Sequence, residues 1–289
     1  MATEIRQLIE EGVARLARVA DDPRHEAEIL LGAALGRPRS FLIAHAEQPI
    51  LDCEATDRYE AHVTRRAHGE PIAYILGEKE FWSLPLKVEP AVLIPRPETE
   101  LVVERALARL PAEGGGSVLD VAAGSGAIAL AIASERPRRH VIGTDVSPAA
   151  VELARVNAAR LGIANVEFRA GSWYQPARGQ VFDLIASNPP YIAETDPRVE
   201  RTVRFFEPHG ALFSGPTGLE ALREIVAGAP GHLASGGWLA VEHGDTQGEP
   251  VRNLLAAAGF ESIATHRDLA GRERCSEGRH SGGAAARRT

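Results

Sequence analysis

Cysteine, long apolar runs and net positive charge are all scarce in this 289-residue chain. Cys53 and Cys275 are the only cysteines, too few for a disulfide framework and without metal-ligand spacing. No segment approaches the roughly 18 consecutive apolar residues of a membrane-crossing helix, so no membrane association is expected. The opening Met1-Ala2-Thr3-Glu4-Ile5-Arg6 carries an acid early and no apolar core segment. It does not read as a signal peptide, and a cytoplasmic protein is expected. The ten histidines lie scattered, with no Cys or carboxylate company at zinc-binding spacing, and no metal is expected. A net charge of −7 counts against a protein built to hold a nucleic-acid backbone, which needs a basic footprint. What is present, 44% hydrophobic and 25% charged residues, is the make-up of a globular protein with length for one large domain plus a small one.

Residues 1–75 read as helical. Ile5, Leu8, Ile9, Val13 and Leu16 recur at helical spacing, and Asp22-Pro23 pairs an N-cap acid with a proline whose missing N–H costs nothing in the first turn. Ala27, Leu30, Leu31 and Ala34 line a second stripe closed by Gly36 and Pro38, and a third helix is predicted from about Asp52 to Ala67, ending at Gly69. The segment holds nine Arg and no Lys against 13 acids, a net of −4, and so forms a small acidic module. Residues 76–97 change character, and Glu78–Val88 predicts two short strands around a turn, a connecting β-hairpin. From 98 to 280 short apolar runs alternate with helical stretches: strands at Val118–Val121, His140–Asp145, Val166–Arg169, Val181–Ser187 and Trp238–Glu242, helices at Ala127–Ala133 and Pro148–Leu161. That alternation predicts an α/β fold, a parallel, doubly wound Rossmann-like sheet with helices on both faces. The tail 281–289 lacks apolar periodicity and is expected to be disordered.

Asp120-Val121-Ala122-Ala123-Gly124-Ser125-Gly126 lies between a strand and a helix, where glycines allow a tight turn and close approach of a ligand to backbone amides. Asp145 ends the next strand, at the spacing of a carboxylate that accepts from ribose hydroxyls. The loop alone leaves two readings open, since Gly124–Ala129 also satisfies the degenerate dinucleotide fingerprint. Asp120 tilts the balance to a methyltransferase: an acid at the strand end suits the amino-acid part of S-adenosylmethionine and sits badly beside a pyrophosphate. A turn that binds nothing would require both the loop and the spaced acid to be accidental.

The strand Val181–Ser187 runs into Asn188-Pro189-Pro190-Tyr191, at the carboxyl end where doubly wound sheets bind ligands. Asn188 offers a side-chain carbonyl, the two prolines leave carbonyls free on a backbone of fixed φ, and Tyr191 offers a flat face. A planar nitrogen, an amide or exocyclic amine, needs such a ledge. Two acceptors take its two N–H groups and turn the remaining orbital toward a methyl donor. Strand termination by Pro-Pro is the alternative, weakened by the loop and acid upstream.

With these motifs in place the chain resembles the release-factor glutamine methyltransferases, over nearly its whole length. Gly69–Gly77 with Glu80-Phe81, Ile94–Glu100, Phe206-Glu207-Pro208 with Ala211-Leu212, Glu242-His243-Gly244 with Gln247, and Asp268–Arg272 are all similar to segments of that family. The resemblance implies S-adenosylmethionine as cofactor. It places Ala122, Ala123, Gly124, Ser125 and Gly126 along it, Asp145 on its ribose, Trp173 beside its adenine, and Asn188, Pro189, Pro190 and Tyr191 around the substrate glutamine, with Asn188 also touching the cofactor. Arg96 and Glu98 are candidates for its methionine end, or else begin a helix. Peptide chain release factors are the implied protein partner, gripped by the 1–75 module, with no nucleic-acid substrate and a monomer expected. The runners-up are a nucleic-acid amine methyltransferase, which needs the same ledge, and a cofactor-binding regulator, which does not. The family usually has glycine at position 122; the alanine here is expected to have negative φ.

Overall fold

The structure, a computed structural model, describes residues 3–282. All but the first two residues of the 281–289 tail therefore lie outside it. The chain divides into two compact units: the chain up to Glu78 with the helix Arg201–Phe206, and Lys79–Glu200 with the chain from Glu207 onward.

The first unit is helical. After a two-residue strand β1 (Thr3–Glu4) come α1 (Ile5–Leu16), α2 (Pro23–Leu35) and α3 (Arg39–Ala44), then β2 (Pro49–Ile50), α4 (Cys53–Ala67) and α5 (Ile72–Leu76). Asp22 caps α2 by accepting from the His25 amide at 3.0 Å, Pro23 occupies the first turn, and Gly36 ends the helix at φ +62°. The predicted stripes meet in one core: Ile5, Leu8, Ile9 and Leu16 pack with Ala27, Leu30, Leu31 and Ala34. Tyr59 of α4 fills its centre and donates to the Leu8 carbonyl at 3.0 Å, so its buried hydroxyl is satisfied. The periodicity did not reveal α3 and α5, which are too short to show one.

The second unit opens on the hairpin β3 (Glu78–Phe81) and β4 (Leu84–Lys87), joined by Trp82 and Ser83 at φ +52° and +57°. Positive φ at both turn positions matches the twist of the two strands. Phe81 and Leu86 enter the core of this unit. Asn157 ties the hairpin down: its Oδ1 accepts from Lys87 N at 2.7 Å, while its Nδ2 donates to Lys87 O and Ser125 O, each at 3.0 Å.

There follow α6 (Glu100–Arg109), β5 (Ser117–Val121), α7 (Ala127–Glu135), β6 (His140–Asp145), α8 (Pro148–Leu161), β7 (Val166–Ala170), β8 (Phe182–Ser187), α9 (Arg201–Phe206, of the first unit), α10 (His209–Leu212), α11 (Glu220–Gly228), β9 (Leu233–Glu242), α12 (Gly248–Ala257), β10 (Phe260–Arg267) and β11 (Glu273–His280). The sheet has seven strands in the order β10-β11-β9-β8-β5-β6-β7. Its five strands from β9 to β7 are parallel, as expected, with helices on both faces. Alternation along β5 explains the two-sided core: Val118 packs with α6 and α7, while Leu119 and Val121 pack with α11 and α12.

The sheet is not wholly parallel. β10 and β11 form an antiparallel hairpin paired to β9. β11 buries Cys275, Ser276 and Glu277, and Glu277 Oε1 accepts from Arg105 (3.1 Å), Arg109 (2.6 Å) and His266 (3.0 Å). Burial alone would raise that carboxyl; the donors hold it below the ordinary range.

Asn157→Ala should destabilise this unit by roughly 2–4 kcal/mol, because it strands two carbonyls and an amide that water cannot freely reach. Thermal unfolding of the variant reads this, and a melting temperature equal to wild type would show that the hairpin needs no such tie.

Candidate active site

Strand order reverses at β5, which has β6 on one side and β8 on the other, so a crevice opens beyond their carboxyl ends. Register brings the decisive segments together there. Val121 pairs with Ser187 and with Thr144, so the residues next along the chain, Ala122, Asn188 and Asp145, emerge side by side. The Ser187 hydroxyl donates to the Val121 carbonyl at 2.6 Å and stitches the two strand ends.

A cavity of about 440 Å³ lies at this point, within the usual size of a small-molecule site. Ala122, Ala123, Gly124, Ser125, Asp145, Trp173, Asn188 and Pro190 border it. Gly126, Pro189 and Tyr191 do not. Gly126 immediately precedes α7 at φ +85°, where an added Cβ would meet the Phe168 ring at 2.8 Å; glycine is needed there for packing. Pro189 is buried, but no described residue donates to its carbonyl. Tyr191 does not present its ring to the cavity: it packs on the core, and its hydroxyl donates to Glu242 Oε1 at 3.0 Å.

The turn is held by its acid. Asp145 Oδ2 accepts from Gly124 N and Oδ1 from Ser147 N, each at 2.9 Å, which leaves further lone pairs facing the cavity. Burial raises this carboxyl while those two amides lower it. Trp173, at φ +45°, forms one wall, and its indole N–H donates to Glu224 Oε2 at 2.7 Å. Asn188 is the most informative side chain: its Nδ2 donates to Thr99 Oγ1 at 3.0 Å, and its Oδ1 is buried with no hydrogen-bond partner. A buried carbonyl without a donor costs about 1–3 kcal/mol, a cost that Asp120 Oδ1, Glu220 Oε2 and Glu242 Oε2 share here.

Three expectations need correction. Asp120 does not face the cavity. It is fully buried, Oδ2 accepting from Ala129 N at 3.0 Å, and burial pushes its carboxyl up to about 8; it anchors α7 to β5. Ala122 has φ +62°, not a negative value. The path from β5 into the turn requires left-handed backbone there, and the alanine methyl is strained by roughly 1–2 kcal/mol. Nor does Arg96 reach the cavity. It pairs with buried Glu207, whose other oxygen accepts from Ile94 N at 3.2 Å, and Pro97 begins a short 3₁₀ turn, Pro97–Thr99.

Sequence reasoning missed Glu220, Glu224, Phe213 and Ser214, which border the cavity from α11 and the segment before it. No spacing rule relates them to the glycine turn. The charge of the two glutamates bears on the ambiguity that the loop left. Among the described residues lining the cavity, every ionisable one is acidic: Asp145, Glu220 and Glu224. A pyrophosphate would meet no basic side chain there, whereas the sulfonium and ammonium of S-adenosylmethionine are cations. The free Asn188 oxygen, the spare Asp145 lone pairs and the apolar walls fit that molecule.

Comparison with known proteins agrees. The profile described as "PrmC N-terminal domain" matches residues 7–77, and that described as "Methyltransferase small domain" matches residues 99–258. A release factor glutamine methyltransferase of Xylella fastidiosa (strain Temecula1) is 50% identical over 256 residues, 89% of this chain and 93% of that one. Its counterpart in Escherichia coli K12 is 44% identical over 277 residues, 96% and 99% of the two chains. The chain belongs to the release factor glutamine methyltransferase family. Solved structures share the fold: a methyltransferase from Pyrococcus furiosus has a TM-score of 0.52 at 21% identity, covering 77% of this chain and 98% of that one. A Thermus thermophilus 16S rRNA methyltransferase in complex with AdoMet and guanosine has 0.53 at 18%, covering 70% and 49%.

The strain at position 122 is testable. Ala122→Gly should raise stability by roughly 0.5–1 kcal/mol, the relieved strain exceeding glycine's extra unfolded-state entropy. Denaturant titration measures it; an unchanged or lower stability would mean the turn bears the methyl without strain.

Proposed function

We infer that the chain transfers the methyl group of S-adenosylmethionine to the side-chain amide nitrogen of the glutamine in the Gly-Gly-Gln loop of peptide chain release factors. The observation that carries this reading is the unpartnered Asn188 oxygen in the wall of an acid-lined cavity. Bound S-adenosylmethionine supplies an electrophilic methyl on a sulfonium. The Ala122–Ser125 turn presents amides and a close backbone to it, Asp145 accepts from its ribose, and Trp173 covers its adenine. Asn188 Oδ1 and the Pro189 carbonyl take the two N–H groups of the glutamine amide. The nitrogen lone pair, delocalised in the free amide, is thereby turned toward the methyl, and the positive charge growing on nitrogen meets two fixed dipoles. No side-chain base is needed, since the alkylated nitrogen is acidic and sheds its proton to water. Pro190 shapes the rim, and Tyr191 braces the tetrapeptide through Glu242. The substrate is protein and not nucleic acid, met in the cytoplasm by a single copy of the chain.

Asn188→Ala should lower kcat about 10²–10³-fold, the typical loss of one preorganised hydrogen bond, with far less effect on cofactor affinity. Asn188→Asp keeps an acceptor and should fall between alanine and wild type. The assay is incorporation of labelled methyl into purified release factor beside nucleic acid, with mass spectrometry placing the added methyl on one glutamine. Label in nucleic acid alone, or an alanine variant of full rate, would overturn the reading.

The helical unit grips the release factor away from the glutamine loop. The larger unit, which includes the hairpin, holds every cavity-lining residue. A chain starting at Lys79 should therefore bind S-adenosylmethionine as the whole protein does, yet show a KM for release factor raised more than about tenfold, a loss above about 1.4 kcal/mol. An unchanged KM in a folded, cofactor-binding fragment would refute the grip.

A further inference from the structure

The acceptor ledge is made of residues that cannot hold it in place. Pro189 and Pro190 have no N–H to give, and the Pro189 carbonyl must stay free if it is to receive a substrate hydrogen. Such a segment has to be fixed from its ends. At its start, Asn188 Nδ2 donates to Thr99 Oγ1 at 3.0 Å. At its end, Tyr191 packs its ring on the core and gives its hydroxyl to Glu242, but two rotatable side-chain bonds separate that ring from the backbone. Among the described residues, the backbone from Pro189 to Tyr191 makes a single hydrogen bond: Gln247 Nε2 donates to the Tyr191 carbonyl at 3.0 Å.

Gln247 is the residue immediately before α12, whose Val251 and Leu255 are buried, so it stands on a packed helix. Its carboxamide is used in full. Besides the Tyr191 carbonyl, Nε2 donates to the Gly218 carbonyl at 3.3 Å, and Oε1 accepts from Gly244 N at 2.8 Å. Each partner is a backbone group with one possible role, since a carbonyl only accepts and an amide N–H only donates. A flipped carboxamide would set oxygen against two carbonyls and nitrogen against an N–H. The partners therefore allow one orientation.

The chain is shaped so that three segments can meet there. Gly218, at φ +74°, lies so close that an added Cβ would meet the Tyr191 carbonyl oxygen at 2.5 Å, Ala193 N at 2.9 Å and Gln247 Nε2 at 3.1 Å. Glycine answers both demands, the left-handed backbone and the close approach. A Cβ on Gly244 would likewise come within 3.1 Å of Gln247 Oε1. The end of the ledge, the approach to α11 and the turn after β9 thus converge on one side chain, which does not itself border the cavity. β9 is paired on both edges, to β8 and to β11, and gives the brace a fixed frame.

We propose that Gln247 is a positioning residue of the methyl transfer: it clamps the Tyr191 carbonyl and thereby fixes the Pro189 carbonyl against the substrate amide. The proposal rests on the function inferred above. Pro190 carries the constraint across, because its locked φ leaves ψ as its one soft torsion before Tyr191. Alignment at a reacting atom is sensitive on this scale: a displacement of about 1 Å produced away from the chemistry can cost about a hundredfold in rate. Because Gln247 lines none of the cavity, its loss bears on turnover and not on cofactor binding.

The test uses the full chain, purified release factor and S-adenosylmethionine, at a temperature where unfolding curves show each variant folded. Gln247→Glu keeps the acceptor for Gly244 N and removes both donors, whereas Gln247→Met keeps the length and removes all three bonds. Each should lower kcat about ten- to a hundredfold. The KM for release factor and the affinity for S-adenosylmethionine should stay within about threefold of wild type, as for a group that acts only in the transition state. A brace that served stability alone would lower the melting temperature and leave the turnover of the folded enzyme unchanged. Wild-type kcat in either folded variant would therefore overturn the proposal, as would a loss carried by KM or cofactor affinity with kcat intact. Should one variant not fold, the other decides alone. A wild-type chain that leaves release factor unmethylated would overturn the proposed function and the brace with it, whereas an active wild type with indifferent variants overturns the brace only.

Discussion

A buried carbonyl oxygen that bonds to nothing is the constraint around which this active site is organised. Asn188 Oδ1 is unpaired, and keeping it so requires that its own amide nitrogen be satisfied from behind, by Thr99. Thr99 in turn sits at the end of a 3₁₀ turn that Pro97 begins and that the Arg96–Glu207 pair secures to the segment before α10. Gln247 closes the other flank: its Nε2 donates to the Tyr191 carbonyl at 3.0 Å and its Oε1 accepts from Gly244 N at 2.8 Å. Motifs scattered over some 150 positions of sequence thus form one shell around one side chain.

The same economy holds on the cofactor side. One carboxylate, Asp145, closes the glycine turn through Gly124, orders the start of α8 through Ser147, and still has lone pairs for a ligand. Beside it the strained Ala122 stores energy that a glycine would not. That strain is tolerable because the paired ends of β5, β6 and β8 over-determine the backbone at this point.

Much of this was legible without the fold. Asp22-Pro23 announces a helix start, Pro148–Leu161 a helix, and the strand–glycine-turn–acid series a turn at a sheet edge, because caps, turns and apolar alternation are local effects that neighbours in sequence suffice to produce. Asn188 and Pro190 likewise border the cavity that their place at a strand's carboxyl end predicts.

Other features depend on partners distant in sequence. Ala122 takes positive φ because three strand ends fix the path of the turn, and a single residue type carries no sign of that. Tyr191 turns from the cavity to Glu242 because a buried carboxylate needs a donor. β11 was invisible to pattern reading because it buries Ser276 and Glu277 where a strand should show apolar alternation. The charge of Glu277 is tolerable inside only because α6, some 170 residues earlier in the chain, brings Arg105 and Arg109 against it. Sequence alone therefore determined the longer helices, the parallel strands and the turns between them. Tertiary structure decided which buried polar groups are compensated and left Asn188 Oδ1 among those that are not, since compensation requires a partner that only folding brings within reach.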